Sequence, residues 1–355
     1  LAFLRSPHAH ARILNIDIRA ATAAPGVVRV ITGGDITKVC TPWSGAAAHI
    51  PSLKSPAQYP MAVDRATWQG EPVAAVIARS RAEAEDATEL IEIEWQELPA
   101  VADPMAALAP GAALVHPDMG TNLSFEAAIT GGDAKAALAA SDIVVSQDFT
   151  FSRQTGVPLE ARAVLADFDP TERRLTVHQS HQSPWQQQDV FARHLGLDEH
   201  RVRVIVPDVG GAFGIKLHVY GDEVVVAAAS MMLGRPVKYS VDRVEAFVAD
   251  VHARDQRVSA KLGVAKDGAI RAMSVDAVLG LGAYNAYRRP SHGEGMMTIG
   301  FAGAPYRFRD YDGRLRVALQ NKNTLGVYRG VGQPIACAVS EQLLDDAAAA
   351  AGIAA

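Results

Sequence analysis

A cluster of glycines in residues 209–216 is the first segment whose residue types could do chemistry. Gly210, Gly211 and Gly214 follow a predicted strand and precede a predicted helix. Glycines at such a place allow positive φ and let an anionic ligand approach the backbone N–H groups. The spacing matches neither the dinucleotide-binding GxGxxG pattern nor the GK[ST] end of a P-loop. Spacing alone therefore leaves two interpretations open, a purely structural turn and a cradle for an anion.

A glutamine-rich stretch, residues 178–188, joins another predicted strand to a predicted helix. Ser183 can cap that helix with Pro184 in its first position. Most of the glutamines suit a solvated helix face. Gln182, just before the cap, is the one that could enter a site as a neutral hydrogen-bond donor.

A third segment, residues 326–334, places Arg329 among glycines and closes with Pro334. Such a loop can present backbone groups and one cation to an anion. It could equally be a plain turn before a helix that starts near Ile335.

Two other polar pairs favour structural roles. His8 and His10 alternate as on a strand, but without a third ligand nearby they do not predict a metal site. Glu160 and Arg162 lie two residues apart and predict an ion pair beside a turn. No Ser/His/Asp triad or pair of carboxylates is indicated.

The elements that must position these segments follow from apolar periodicity and turn residues. Residues 98–142 are rich in Ala, Pro and Gly and have little strand signal, so a domain boundary is expected there. Residues 266–268 predict a hairpin turn, and residues 343–355 a helical run without a cap. The predicted strands are residues 27–32, 73–78, 91–95, 143–151, 163–168, 175–178, 202–206, 237–241 and 256–263. The predicted helices are residues 80–90, 184–195, 222–233 and the one starting near residue 335.

Composition excludes several classes of protein. The 355 residues are 49% hydrophobic and 21% charged with a net charge of -5, so no nucleic-acid partner is expected. Cys40 and Cys337 are too far apart in sequence for a CxxC site and fit a reducing compartment. No apolar run reaches the roughly 18 residues of a transmembrane helix. A cytoplasmic location is expected, with the periplasm left open because the start of the chain is expected to be missing and a targeting signal could have been lost with it.

Taken in order, these segments resemble the xanthine dehydrogenase/aldehyde oxidase family of molybdopterin-binding large subunits. The resemblance is nearest to the aerobic carbon monoxide dehydrogenase branch, in its form without the copper-binding cysteine. Residues 5–12 and 69–74 resemble the opening of the family's a/b hammerhead domain. Residues 155–162, the glutamine stretch, the glycine cluster and the arginine loop resemble its first molybdopterin-binding domain.

The resemblance implies an α+β fold with mixed sheets in three parts. Residues 1–108 would form the hammerhead domain, residues 109–142 a connector, and residues 143–355 the first part of the molybdopterin-binding domain, truncated at its C-terminal end.

The resemblance also implies the site residues. Gln182 matches the glutamine that donates to the apical oxo ligand of molybdenum, Phe213 and Gly214 match the turn whose amides contact the ligands of the metal, and Arg329 matches the arginine beside it. Of these, Gln182, Phe213 and Arg329 would surround the metal without binding it directly. The residues expected to hold the cofactor are Gln182, Gly211, Ala212, Phe213, Gly214, Arg329 and Gly330.

Three positions depart from better-known relatives and bear on the substrate. Gly330 stands where the carbon monoxide enzymes have their copper-binding cysteine, so a Mo–Cu site is not expected. Leu217 and Val331, the expected substrate-pocket residues, replace a glutamate and an aromatic of the xanthine enzymes, which argues against purines. An aldehyde or an N-heteroaromatic is the expected small-molecule substrate, with water as oxygen source. Carbon monoxide oxidation and a non-catalytic cofactor-binding or assembly protein are the alternatives.

The remaining implications concern what lies outside this chain. The general-base glutamate is expected beyond Ala355, so no catalytic residue is expected here and the chain alone is predicted to be inactive. The cofactor would be the molybdopterin cytosine dinucleotide form. The 2Fe–2S clusters and the FAD would lie on a small and a medium partner subunit. A C-terminal half of the same subunit and a dimer of heterotrimers complete the expected assembly.

Overall fold

The first third of the chain forms small antiparallel sheets in the computed structural model, which describes residues 1–47 and 49–354. Two sheets of three strands have the orders β1-β7-β3 and β6-β2-β8, and β4 pairs with β5. The strands are β1 (Ala2–Arg5), β2 (Ala11–Asp17), β3 (Val27–Thr32), β4 (Trp43–Ser44), β5 (Ala57–Gln58), β6 (Arg65–Ala66), β7 (Pro72–Ala78) and β8 (Glu92–Glu97). The helices are α1 (Arg19–Ala23), α2 (Gly33–Ile36), α3 (Arg81–Thr88) and, after the sheets, α4 (Pro104–Ala107).

Local signals account for this part well. The predicted strand at residues 27–32 is β3, and the continuous apolar run of β7 is buried at the centre of its sheet. Ser80 and Glu83 form a capping box at the start of α3, which stabilises the helix by satisfying its first N–H groups. The chain directly after β3 forms a single helical turn, α2, where Thr32 and Asp35 form a second capping box.

The rest of the chain is built on two larger mixed sheets with the orders β10-β15-β16-β17-β9 and β13-β12-β11-β14. Its strands are β9 (Leu123–Gly131), β10 (Ile143–Phe151), β11 (Ala163–Asp169), β12 (Arg174–Gln179), β13 (Val202–Ile205), β14 (Val237–Ser240), β15 (Gln256–Val264), β16 (Ile270–Gly282) and β17 (Asp310–Leu319). Its helices are α5 (Ala134–Ala139), α6 (Pro184–His194), α7 (Gly221–Leu233), α8 (Arg243–Ala249), α9 (His292–Phe301) and α10 (Gln333–Ala351).

The stretch assigned to a connector, residues 109–142, contains more structure than expected. β9 is the edge strand of the larger sheet and pairs antiparallel with β17, and α5 follows it. Three of its nine residues are Leu, Phe or Ile, and the others are small or polar, so β9 has too weak an apolar pattern to be recognised before its partner strand is known.

The C-terminal part holds the other differences. No strand or helix was predicted from the sequence at β16, α9 and β17, although β16 is the central strand of its sheet. The expectation of an uncapped terminal helix was wrong, because Gly352 ends α10 in a left-handed conformation with φ of 70°. The last residue of the range predicted for the molybdopterin-binding domain, Ala355, lies outside the described residues.

One hydrophobic core joins the two parts of the chain. Ile31, Trp43 and Ile77 from the small sheets belong to the same buried cluster as Phe191 and the valines of α7. A second cluster lies between the larger sheet and the helices α9 and α10. In the part of the chain that the structure describes, no helix is both long enough and apolar enough to span a bilayer.

Candidate active site

Three loops meet at one place, and two of them follow neighbouring strands. β12 and β13 are adjacent and parallel, so the glutamine stretch after β12 and the glycine turn after β13 leave the same edge of the sheet. The arginine loop reaches the same place from β17, through residues 320–328. Chain topology thus brings together the three segments that the sequence singled out.

Direct hydrogen bonds connect the predicted residues. The Gly214 amide donates to Gln182 Oε1 at 2.9 Å. The Arg329 amide donates to the Phe213 carbonyl at 2.9 Å. Gln182, the glycine turn and Arg329 are therefore parts of one site.

The glycine turn has the backbone strain that its sequence suggests. Phe213 has φ of 54° and Gly214 φ of 100°, a region that is costly for a residue with a side chain. A Cβ on Gly214 would lie 2.6 Å from the Val327 carbonyl oxygen. Gly214 is thus required both for its conformation and for the close approach of the arginine loop.

The turn leaves several amides available to a ligand. Within residues 1–47 and 49–354, the amides of Gly211, Ala212, Phe213 and Gly330 donate to no acceptor of the chain. The backbone around Gly211 and Ala212 is half-buried, and Phe213 is 44% exposed. Free N–H groups on neighbouring loops are groups that an anion can bind.

Glu160 holds the glycine turn in place through hydrogen bonds to its side chain. Its Oε2 accepts from Lys216 Nζ at 2.5 Å, from Ser180 Oγ at 2.6 Å and from the Gly210 amide at 2.9 Å. Partial burial pushes the pKa of Glu160 upward, but the hydrogen bonds from Lys216, Ser180 and Gly210 outweigh it and lower the pKa. A buried lysine and an ionised glutamate therefore hold the turn against the glutamine stretch.

The predicted ion pair between Glu160 and Arg162 was wrong. Arg162 points instead into the protein, where its guanidinium bonds Asp222, Glu223 and Asp250. The chain bends at Leu159 and Glu160, so Glu160 and Arg162 do not share a face as residues i and i+2 of a regular strand would. The partners of Arg162 are 60 to 88 residues away in sequence, so no local spacing could have revealed them.

Two buried histidines connect the site loops. His181 Nδ1 accepts from the Ser183 amide, and its Nε2 donates to the His218 carbonyl at 3.1 Å. His218 Nε2 in turn accepts from the Val327 amide at 2.9 Å. Burial lowers the pKa of both histidines to about 4, so both are neutral near pH 7.

Helix α6 begins as predicted, although its cap differs. Ser183 is the N-cap residue with Pro184 next, but the Ser183 side chain makes no capping hydrogen bond. Gln186 donates to the Leu217 carbonyl at 3.0 Å, and Gln187 is buried beside His181. These two glutamines support the site and are not the solvated helix face that was expected.

The two predicted substrate-pocket residues lie in the same loops. Leu217 is half-buried three residues after Gly214, and Val331 is half-buried two residues after Arg329. Neither side chain carries a charge, so the wall they would form is apolar.

The histidines near the start of the chain have structural partners, as expected. His10 Nδ1 lies 2.7 Å from the Pro99 carbonyl, and His8 stacks edge-on against Trp95. The described residues contain no group of three or more His, Cys, Asp or Glu side chains that could hold a metal ion.

The donor set fits an anionic organic cofactor rather than a bare cation. It consists of free amides, the neutral side chain of Gln182 and the exposed guanidinium of Arg329. Glu160, the carboxylate that bonds the turn, is paired with Lys216. A group with phosphate or oxo oxygens would find hydrogen-bond donors here.

Comparisons with known proteins agree with this interpretation. A sequence profile described as the aldehyde oxidase and xanthine dehydrogenase a/b hammerhead domain matches residues 1–99. A second profile, described as a molybdopterin cofactor-binding domain, matches residues 115–355.

Individual proteins are similar over nearly the whole chain. The nicotine 6-hydroxylase large subunit of Paenarthrobacter nicotinovorans is 34% identical over 98% of this chain and 42% of its own length. The carbon monoxide dehydrogenase large chain of Afipia carboxidovorans is 35% identical over 81% of this chain and 37% of its own length. The crystal structure of quinoline 2-oxidoreductase from Pseudomonas putida 86 superposes with a TM-score of 0.95 at 34% identity, covering 99% of this chain and 45% of that one. The chain thus spans less than half the length of these relatives.

Proposed function

The chain belongs to the aldehyde oxidase and xanthine dehydrogenase family of molybdopterin-binding subunits, and we propose that it supplies one wall of a molybdenum hydroxylase site. The observation that carries the proposal is the hydrogen-bonded junction of Gln182, the Phe213–Gly214 turn and Arg329. Three segments distant in sequence converge there around backbone amides that have no acceptor within the described residues.

Each group has a defined role in this proposal. The amides of Gly211, Ala212 and Phe213, with that of Gly330, bind the oxygens of the cofactor. Gln182 uses its Oε1 to hold Gly214, which leaves its Nε2 to donate to the cofactor. The exposed Arg329 guanidinium adds a positive charge, suited to an anionic group.

The molybdenum cofactor, in its cytosine dinucleotide form, would supply oxidation by two electrons, with water as the source of the oxygen that enters the substrate. The residues of this chain bind and orient it, and their neutral amides stabilise oxygen ligands without donating a full proton. We propose that the proton-transferring glutamate lies on a further part of the subunit. The two electrons would leave through 2Fe–2S clusters and FAD on a small and a medium subunit.

We propose an N-heteroaromatic or an aldehyde as substrate. The uncharged side chains of Leu217 and Val331 favour a flat, apolar molecule over a purine, whose many polar edges would be left unpaired. The names of two similar proteins, nicotine 6-hydroxylase and quinoline 2-oxidoreductase, support the N-heteroaromatic class. Gly330 provides no sulfur for copper and weighs against carbon monoxide.

The test uses the complete subunit, produced with its partner chains. The expected result is about one molybdenum and one cytidine nucleotide released per subunit, with dye-linked oxidation of quinoline or benzaldehyde. Oxidation of carbon monoxide but of neither organic substrate would favour the alternative enzyme. A subunit that never acquires molybdenum would support the non-catalytic alternative.

Two further proposals concern the chain by itself and its surroundings. The 355-residue chain alone is expected to be inactive, and turnover by that chain would contradict the proposal that the proton-transferring glutamate lies on a further part of the subunit.

We propose a cytoplasmic dimer of heterotrimers, with the periplasm as the other compartment. Sedimentation of the complex tests the assembly, and cell fractionation tests the location.

A further inference from the structure

The arginine loop adopts a backbone conformation that its own residues do not favour. Gly330 has φ of 84° and the next residue, Val331, has φ of 52°. A β-branched residue in this region costs on the order of 1–3 kcal/mol and persists only where its surroundings enforce it. The loop therefore needs a partner that holds it.

The partner is the buried side chain of Arg254, which is 6% exposed. One terminal nitrogen of its guanidinium donates to the Arg329 carbonyl at 2.8 Å, and the other donates to the Val331 carbonyl. The guanidinium also lies 5.2 Å from the centre of the Tyr328 ring. A planar fork of donors thus spans the loop and fixes the two carbonyls that flank Gly330.

Arg254 is itself held by Glu294 on α9. The carboxylate of Glu294, 1% exposed, accepts from the Arg254 amide at 2.6 Å and from its guanidinium at 3.2 Å. Arg254 has φ of 78°, so its backbone is also under constraint. A buried ion pair of this kind adds little net stability compared with apolar residues, which points to a role in positioning.

We propose that Arg254, held by Glu294, is a positioning residue that sets the substrate wall by holding Arg329 and Val331 against the glycine turn. This inference rests on the proposed function, since it assigns the loop to the substrate pocket. Arg254 is buried and bonds the backbone carbonyls of the loop, so it acts through Arg329 and Val331 and not on the substrate itself.

The experiment compares Arg254→Met and Arg254→Lys with Arg257→Met, a matched control. Arg257 lies three residues further on and is 32% exposed, and it pairs with Asp103 at the surface. In the complete subunit we expect Arg254→Met to raise KM about tenfold or more with a smaller change in kcat, which locates the loss in substrate binding. Arg254→Lys should recover part of the loss, and the control should match the unaltered protein.

A second measurement does not need the cofactor. Arg329 is exposed, so trypsin cleavage after it reports how often the loop opens. We expect Arg254→Met to speed the appearance of this cut at least tenfold, as followed by mass spectrometry, and the control to leave it unchanged. This readout separates the two proposals: a subunit without molybdenum would count against the function, while the cleavage rate would still decide the role of Arg254.

The double variant Arg254→Met/Glu294→Gln tests whether charge balance alone explains the effect. It removes the unpaired carboxylate that could unfold the single variant. We expect rapid cleavage and a raised KM to persist in it. Normal cleavage and KM in the double variant would overturn the inference. If both Met variants fail to fold, Arg254→Lys decides the question, and a cleavage rate and KM equal to those of the control would overturn the inference.

Discussion

Gln182 shows how one side chain can serve the fold and a ligand together. Its Oε1 accepts from the Gly214 amide, and its backbone N–H donates to the Lys216 carbonyl at 2.8 Å. The first bond orients the side-chain amide, and the second holds the backbone of Gln182 beside the glycine turn. The Nε2 has no acceptor in the described parts of the chain, which is why we assign it to the cofactor.

Replacing this amide separates its two functions. Gln182→Glu keeps an acceptor for Gly214 but replaces the donor with a negative charge, where we place cofactor oxygens. We expect turnover by the complete enzyme to fall roughly 100-fold, as for the loss of a single preorganised donor, with unfolding unchanged because the side chain is exposed. Steady-state kinetics and molybdenum content check this.

The control for that variant is Gln342→Glu, on the exposed face of α10. It adds the same charge away from the site and should alter neither quantity. Full activity of Gln182→Glu would remove Gln182 from the proposed site.

His218 and His181 make the site sensitive to acid. Both hydrogen-bond as neutral rings, and burial lowers the pKa of each to about 4, below the ordinary value of 6.5. As pH falls from 6.5 to 4 the unfolded chain takes up protons that the folded chain excludes. The stabilisation is therefore complete above pH 6.5 and is lost towards pH 4.

The slope of stability against pH provides the measurement. Each histidine should contribute about 1.4 kcal/mol per pH unit within that window. We expect His218→Asn to remove about one such contribution in urea unfolding between pH 4.5 and 6.5, while the exposed His178→Asn should not. Equal slopes for the two variants would show that His218 titrates normally.

At the scale of elements, Glu160 and Lys216 hold the glycine turn to its neighbours. Lys216 is fully buried, and Glu160 is 37% exposed. Removing one partner would leave the other with an unpaired charge, which is more costly than removing both. The ion pair thus connects the end of β12, the glycine turn and the segment before β11.

A double-mutant cycle tests this connection. We expect Glu160→Gln to reduce the free energy of unfolding by roughly 2–4 kcal/mol, because Lys216 stays buried and charged. Adding Lys216→Met should recover much of that loss. Urea unfolding measures Glu160→Gln, Lys216→Met and the double variant, with Lys38→Met in an exposed pair as control. Additive losses would contradict the pairing.

At the scale of the whole molecule, Arg5 ties the small sheets to the larger part of the chain. Its guanidinium bonds Glu245 at 2.7 Å, Asp222 at 3.2 Å and the Tyr239 hydroxyl at 3.0 Å. Asp222 also bonds Arg162, so two arginines share one buried carboxylate at the base of α7. The contact lies beside the hydrophobic cluster that both parts share.

Arg5→Met should therefore weaken the coupling between the two parts. We expect a loss of roughly 2–4 kcal/mol and a broader urea transition, since the small sheets would unfold before the rest. Intrinsic tryptophan fluorescence and circular dichroism recorded together test this. Arg12→Met, at an exposed position, should leave one coincident transition; a coincident transition for Arg5→Met as well would count against the tie.

Local patterns in the sequence accounted for about half of the described strands and helices. β3, β10 and α7 lie where apolar periodicity placed them, because these segments combine a clear pattern with strong turn or cap signals. β9 and β17 were not recognised, because charged residues and glycines interrupt their apolar pattern, and the burial of Leu315 and Val317 is decided only when the sheet forms. Family membership followed from the ordered set of motifs and was confirmed.

By itself the sequence determined which residues could make a site: Gln182, the glycines near Phe213, and Arg329. Only the tertiary structure decided that they touch and what holds them, through Glu160 on Lys216, His218 on Val327, and Arg254 on the arginine loop. The reason is physical. Glycine and capping preferences act over a few residues and leave a mark in sequence spacing, whereas buried charges find partners 50 or more residues away because desolvation makes pairing necessary wherever the fold brings them together.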